Sequence, residues 1–176
     1  MCSYCGCDAI DVIGRFMNEH VEIINATGEL RRAVEDGATD EQVRAHVAVV
    51  AGLLGPHTGA EEVGLFSVMK QQAEFVDYVT QLCGEHVTLD GLLEQIDAGR
   101  RELVGVFEDA LREHIDREDN SLFPAAAVSL VGPDWDQVDA LTHDHDHRVG
   151  NPHEHEHAHE HENEAAGALQ HHHTAG

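Results

Sequence analysis

Two short phrases in this chain place a histidine and a glutamate four residues apart. PHTGAEEVGLF holds His57, Glu61, Glu62, Leu65 and Phe66, and EHIDREDNSLF holds His114, Glu118, Asp119, Leu122 and Phe123. The matching positions are each 57 residues apart. On a helix, residues four apart share a face and lie about 6 Å apart along the axis. Each imidazole and its carboxylate can therefore aim at one point. A second, shorter pair of phrases, Glu19-His20-Val21 and Glu85-His86-Val87, adds a lone histidine before each His-x-x-x-Glu. The chemistry open to four imidazoles and two carboxylates is metal ligation. Buried unpaired, such groups are costly, and enclosing a cation makes the same cluster favourable.

The elements that must position these groups are helices. Ile13, Met17, His20 and Ile24 recur at helical spacing, as do Phe75, Val79, Leu82, His86, Leu89, Leu93 and Ile96. Val104, Phe107, Leu111, His114, Glu118 and Leu122 form a third such stripe. No alternating strand pattern of useful length appears. Breakers at Asp36-Gly37, Gln71-Gln72 and Gly99 divide the chain into amphipathic segments over about 8–35, 40–70, 73–98 and 100–130. Thr39 or Asp40 suits the N-cap of the second, and Pro56 should kink that helix just before His57. Four helices with short connections predict an all-α, up-down-up-down four-helix bundle over residues 8–130. The repeated phrases make it two helical hairpins related by an approximate two-fold. Gly132-Pro133 ends the fourth segment, and a short helical extension around Trp135 occupies 131–150. Residues 151–176 are a His/Glu-rich, low-complexity tail with little to bury, expected to be disordered.

Composition narrows the function classes. Of 176 residues, 10 are Lys or Arg and 34 are Asp or Glu, a formal charge of −24. Such a chain repels a nucleic-acid backbone and an anionic membrane. The start MCSYCGCD has no basic region and no apolar stretch after it, and the apolar run at 47–55 is too short for a bilayer. The expected location is cytoplasmic.

Eleven of the 16 histidines fall between His143 and His173, where the alternating His-Glu tail could gather divalent metals weakly. His46 fits no pattern and is read as an exposed helix residue. Cys2, Cys5 and Cys7 form C-x-x-C-x-C in residues 1–7, with Cys83 far away. This arrangement is not a disulfide framework. Soft-metal binding with Cys83 as a fourth ligand is the sharper reading, and an exposed, redox-active N-terminus is the preferred one.

The ordered set His20, His57 with Glu61, His86, and His114 with Glu118 resembles the hemerythrin-like (HHE cation-binding) family, in the bacterial H–HxxxE–H–HxxxE form. The Leu-Phe that follows each Glu, and Pro124 after the second, also fit. The resemblance implies a four-helix bundle holding two iron ions joined by an oxo or hydroxo bridge. It implies that His20 and His57 bind one iron, His86 and His114 the other, and that Glu61 and Glu118 bridge them. Oxygen-carrying hemerythrins differ in using five histidines, with two on the third helix four apart. Here Asp90 stands four residues after His86, as an additional ligand, as a partner of His86 or as a solvated residue. Glu62 and Asp119 are expected beside the site or at the surface, and Tyr78 in the core. This departure from the carriers favours a non-haem di-iron protein handling small oxidants: peroxide decomposition, or detoxification of nitric oxide or oxygen. The alternatives are a protein that binds or senses oxygen, nitric oxide or iron without turnover, and metal storage or delivery through the tail.

Overall fold

Helical periodicity carries through to the observed architecture: in the computed structural model, which describes residues 6–150, no strand occurs among the described residues. After a short 3₁₀ turn at Cys7–Ala9, helix α1 runs over Asp11–Glu35. Helix α2 is Asp40–Glu61, continuing through a wide π turn at Glu62–Phe66 into Ser67–Met69. Helix α3 is Val76–Asp97. Helix α4 is Val104–Arg117, continuing through a second π turn at Glu118–Leu122 into Phe123–Ser129. Helix α5 is Gly132–Val149. Helices α1 to α4 pack as a ring in which each touches the next and α4 closes on α1. That ring is the four-helix bundle the periodicity predicts.

Local signals explain the boundaries. Thr39 caps α2 reciprocally: its hydroxyl accepts from the Gln42 amide at 3.3 Å, and its own amide donates to Gln42 Oε1 at 2.9 Å. At α5, the Val131 amide donates to Asp134 Oδ2 at 3.0 Å. Helix α2 runs on through Pro56, from Asp40 to Glu61. The carbonyl that loses a partner is that of Gly52, which lies on the exposed face where water can satisfy it. The irregularity comes later, in the π turn after Glu61, and its twin begins at Glu118. π turns of this kind commonly accompany functional sites.

Two apolar clusters fill the bundle. One gathers Val12, Ile13, Phe16, Met17, Leu65, Phe66, Leu82, Leu122 and Phe123. The other gathers Ile23, Leu30, Val47, Val50, Leu54, Leu89, Leu93, Phe107 and Leu111. His20, His57 and His86 fall in sequence where their helices pass from one cluster to the other, for example between Met17 and Ile23 on α1, while on α4 the second cluster runs one residue past His114, to Ile115. On α1 the stripe turns slightly from its predicted register, since Ile23 is buried and Ile24 only half-buried. Cys7 is also buried in the first cluster, which corrects the expectation of an exposed terminal thiol there. Apolar packing of a small side chain takes precedence over redox exposure at this position. Cys83 is half-buried against the same cluster and accepts from Lys70 Nζ at 3.4 Å. Cys2, Cys5 and the 151–176 tail lie outside the described residues.

The predicted extension is a helix of 18 residues, packed across α2 and its π turn. A glycine permits this approach. A Cβ on Gly64 would lie 2.2 Å from Thr142 Oγ1. Among the described residues, no helix is long and apolar enough to cross a membrane.

Candidate metal centre

Four helices each contribute one imidazole to a single buried layer. His20 comes from α1, His57 from α2, His86 from α3 and His114 from α4, and each is buried. Glu61 and Glu118, at the two π turns, are 0% exposed. Their oxygens divide between the imidazole pairs. Glu61 Oε1 lies 3.4 Å from His57 Nε2 and 3.8 Å from His20 Nε2, while its Oε2 lies 3.5 Å from His86 Nε2. Glu118 Oε2 lies 3.2 Å from His20 Nε2, while its Oε1 lies 3.3 Å from His114 Nε2 and 3.9 Å from His86 Nε2. The result is two groups able to hold a metal ion, one of His20, His57, Glu61 and Glu118, the other of Glu61, His86, His114 and Glu118.

Each imidazole is turned inward by a carboxylate behind it. His20 Nδ1 meets Asp119 at 3.0 Å and His86 Nδ1 meets Glu62 at 2.7 Å. His57 Nδ1 meets Glu19 at 2.7 Å and His114 Nδ1 meets Glu85 at 2.9 Å. A carboxylate on Nδ1 leaves Nε2 as the free lone pair and raises its basicity, the usual arrangement behind a metal-binding histidine. Aromatic rings complete the enclosure. Phe123 stacks on His20 with ring centroids 5.8 Å apart, and Phe66 stacks on His86 at 5.5 Å. The Phe of each repeated phrase thus covers the lone histidine of the other hairpin.

The donor atoms themselves test whether a cation fits. Nε2 of His20 and of His57, and both oxygens of Glu61 and of Glu118, are buried without a hydrogen-bond partner. His86 Nε2 and His114 Nε2 face each other at 3.0 Å. Lone pairs converging in a dry interior are expensive alone and suited to a positive ion. Electrostatics agree. Burial opposes protonation of His20, but Asp119, Glu118 and Glu61 outweigh it and push its pKa up to about 10. Burial is likewise outweighed at His86 by Glu61, Glu62 and Glu118, and its pKa also rises to about 10. Glu118 is buried as well, yet the imidazoles of His114 and His20 hold its carboxyl well below the usual range. At His20, His86 and Glu118 alike, the layer favours positive charge on the imidazoles and negative charge on the carboxylate.

The residues singled out from sequence fall as follows. The six motif residues come together. Asp90 is exposed on α3 and joins neither group. His46 is half-buried and also joins neither. Tyr78 packs against the first apolar cluster and donates its hydroxyl to the Arg117 carbonyl at 3.1 Å, just ahead of the second π turn. Glu62 and Asp119 lie beside the site, as expected. Sequence reasoning assigned no role to Glu19 and Glu85, although the signal was present: each directly precedes the lone histidine of its repeated phrase. Arg15 and Asp146 were missed entirely. Arg15 Nε donates to Glu19 at 2.8 Å, and its Nη1 and Nη2 donate to Asp146 on α5 at 2.5 and 3.1 Å.

No curated protein and no solved structure matches this chain. A family model does: the hemerythrin HHE cation-binding domain matches residues 11–126, which span α1 to α4 and every residue of both groups able to hold a metal ion. With its helical bundle and buried His/Glu layer, the chain belongs to the hemerythrin HHE cation-binding domain family.

Proposed function

We propose that this protein binds two iron ions in the His/Glu layer and uses them on small oxidants: hydrogen peroxide, nitric oxide or dioxygen. One observation carries the reading: two imidazole pairs share two carboxylates, each of which turns one oxygen toward each pair. A single ion would use one pair and strand the other. In this reading His20 and His57 hold one iron, His86 and His114 the other, and Glu61 and Glu118 bridge. Iron bound there supplies one-electron redox chemistry and Lewis acidity toward small oxygen and nitrogen ligands.

The chain's own groups set the rest. Asp119, Glu19, Glu62 and Glu85 fix the ring orientations from behind. Phe66 and Phe123 keep water off the lone histidines. With ligating residues 0–3% exposed, the layer admits molecules of a few atoms and excludes organic substrates. Two imidazoles and two carboxylate oxygens per ion leave coordination room for such a molecule, and Asp90 does not fill it. Anionic oxygen donors favour the ferric state, so turnover is preferred to reversible oxygen carriage.

Anaerobic reconstitution with ferrous iron should give about two irons per chain, the number a paired carboxylate-bridged site holds. One iron or none overturns the paired site. The loaded protein should then consume hydrogen peroxide where the metal-free protein does not. Iron binding without consumption would leave a binding or sensing role in place of turnover.

A further inference from the structure

We infer that α5 carries a separate site for a divalent transition-metal ion, with His143 and His147 as its protein ligands. The two residues are four apart and exposed on one face of the helix. Their Nε2 atoms lie 3.1 Å apart, with ring centroids at 4.4 Å and planes crossed at 69°. The same disposition occurs twice in the buried layer. His20 and His57 have centroids 4.7 Å apart at 71°, and His86 and His114 have 4.7 Å and 74°. In the latter pair the Nε2 atoms are 3.0 Å apart. Three histidine pairs share one geometry, and two of them belong to groups that could hold a metal. The third lies outside the span that matches the family.

The distance suits a shared ion. Metal–imidazole bonds are about 2.0–2.1 Å, which puts two nitrogens on one ion about 2.9 Å apart at a right angle and about 3.4 Å at the tetrahedral angle. The observed 3.1 Å falls between. The presenting helix is anchored: Asp146 clamps Arg15 of α1, and Thr142 packs on Gly64 of α2. A chain charge of −24 draws cations to the surface. Imidazole donors select zinc, copper or nickel over magnesium and calcium. Because the rings are exposed, the ion keeps water on its remaining positions and exchanges with solvent. This site does not depend on what the buried layer holds.

Position-resolved hydrogen exchange on the full chain, with and without zinc, tests the assignment. The buried layer and the other histidines are identical in wild type and in His147→Ala, so only the zinc-dependent difference between the two proteins is read. With free zinc tenfold above its dissociation constant, exchange across 132–149 should slow about tenfold more in wild type than in His147→Ala. His143→Ala should lose the same increment, and magnesium should produce none. Both substituted residues are exposed, so the metal-free variants should fold and melt like wild type. Equal slowing in wild type and His147→Ala would place the zinc elsewhere and overturn the site. No slowing in either protein would mean that the two rings hold no ion, and would also overturn the site.

Discussion

His57 and His114 occupy matching places in the two hairpins, yet the carboxylates behind them are anchored differently. Glu19, behind His57, receives Arg15, whose guanidinium is gripped by the buried Asp146 of α5. Glu85, behind His114, receives Arg117 at 2.5 Å, and the other arm of Arg117 reaches only the exposed Glu113 of its own helix. The same contrast separates the partners of the lone histidines. The Asp119 side chain behind His20 is 11% exposed, whereas the Glu62 side chain behind His86 is 41% exposed. Repetition has preserved the groups that face the metal layer and let their supports diverge. The Arg15–Glu19 pair of the first half is held by α5 through Asp146, whereas Arg117 in the second half ends on an exposed partner where solvent screens it. The His20/His57 half should hold its ion more tightly, and the His86/His114 half should exchange first.

The largest effects should come from the carboxylates that belong to both halves. Glu61→Ala or Glu118→Ala removes one oxygen from each group, so either change should empty both metal positions. His57→Ala and His114→Ala should each empty one. Metal quantification after reconstitution checks this. If Glu61→Ala retained a full position, the carboxylates would not be shared and the comparison of two linked halves would fail.

Metal removal gives the next effect, and here the halves should respond together. Without metal, His20 and His86 both titrate near 10, above their ordinary 6.5, because neighbouring carboxylates outweigh burial. A raised folded-state pKa stabilises the fold fully below the unfolded value, and that stabilisation is lost as pH rises through the folded value. The melting temperature of the metal-free protein should therefore fall between about pH 6.5 and about pH 10. Metal replaces protons on the same nitrogens, so the metal-loaded protein should gain relative to the metal-free one across that range. A metal-free protein that grew more stable with rising pH would show that these rings carry no protons.

Which parts of this were legible beforehand follows from what repeats. The helices show in the sequence because each buries one apolar stripe, and the six motif residues show because they recur in two phrases. Glu19 and Glu85 recur as well, but a charged residue beside a buried histidine reads equally as a solvated face. Its partner sits on another helix, as with Glu19 and His57, 38 residues apart. Asp146 has no counterpart in the repeat, and its link to Arg15 spans 131 residues. No local pattern encodes that contact. The π turns were also hidden, since nothing in the composition of Glu62–Phe66 separates a wide turn from an ordinary one. Asp90 shows the opposite failure. Its spacing from His86 points toward the site, but the face it occupies is exposed.

Exchanging the carboxylates behind the rings separates the halves. Glu19→Gln and Glu85→Gln should each weaken one ion by about 10–100-fold, the usual consequence of losing the partner behind a ligating histidine. The Glu19 change should be the larger. Burial opposes its ionised form, but His57 and Arg15 hold its pKa down to about 2, so the charge being removed is strongly engaged. Two-step release into a chelator measures both positions in one experiment. Equal losses would mean that the clamp from α5 adds nothing at the metal.

The smallest effect tests that clamp directly. Asp146→Asn keeps the shape of the side chain and removes the charge that grips Arg15. Arg15 remains paired with Glu19, so His57 keeps its support with a looser anchor. The expected loss is less than about tenfold, below that for removing the carboxylate itself, and is confined to the His20/His57 ion. Gly64→Ala reaches the same clamp by another route. The added Cβ would lie 2.2 Å from Thr142 Oγ1 and 3.4 Å from the Val138 carbonyl, so α5 must shift away from α2. Overpacking of this kind costs about 1–3 kcal/mol of stability. Since the shift carries Asp146 with it, Gly64→Ala should lower the melting temperature and also speed release from the His20/His57 position. Release from His86 and His114 should be unchanged in Asp146→Asn, because neither Asp146 nor Arg15 touches Glu85 or Glu62 through any observed hydrogen bond. Faster release from both positions would show that α5 steadies the bundle as a whole and does not act through Arg15 on one half.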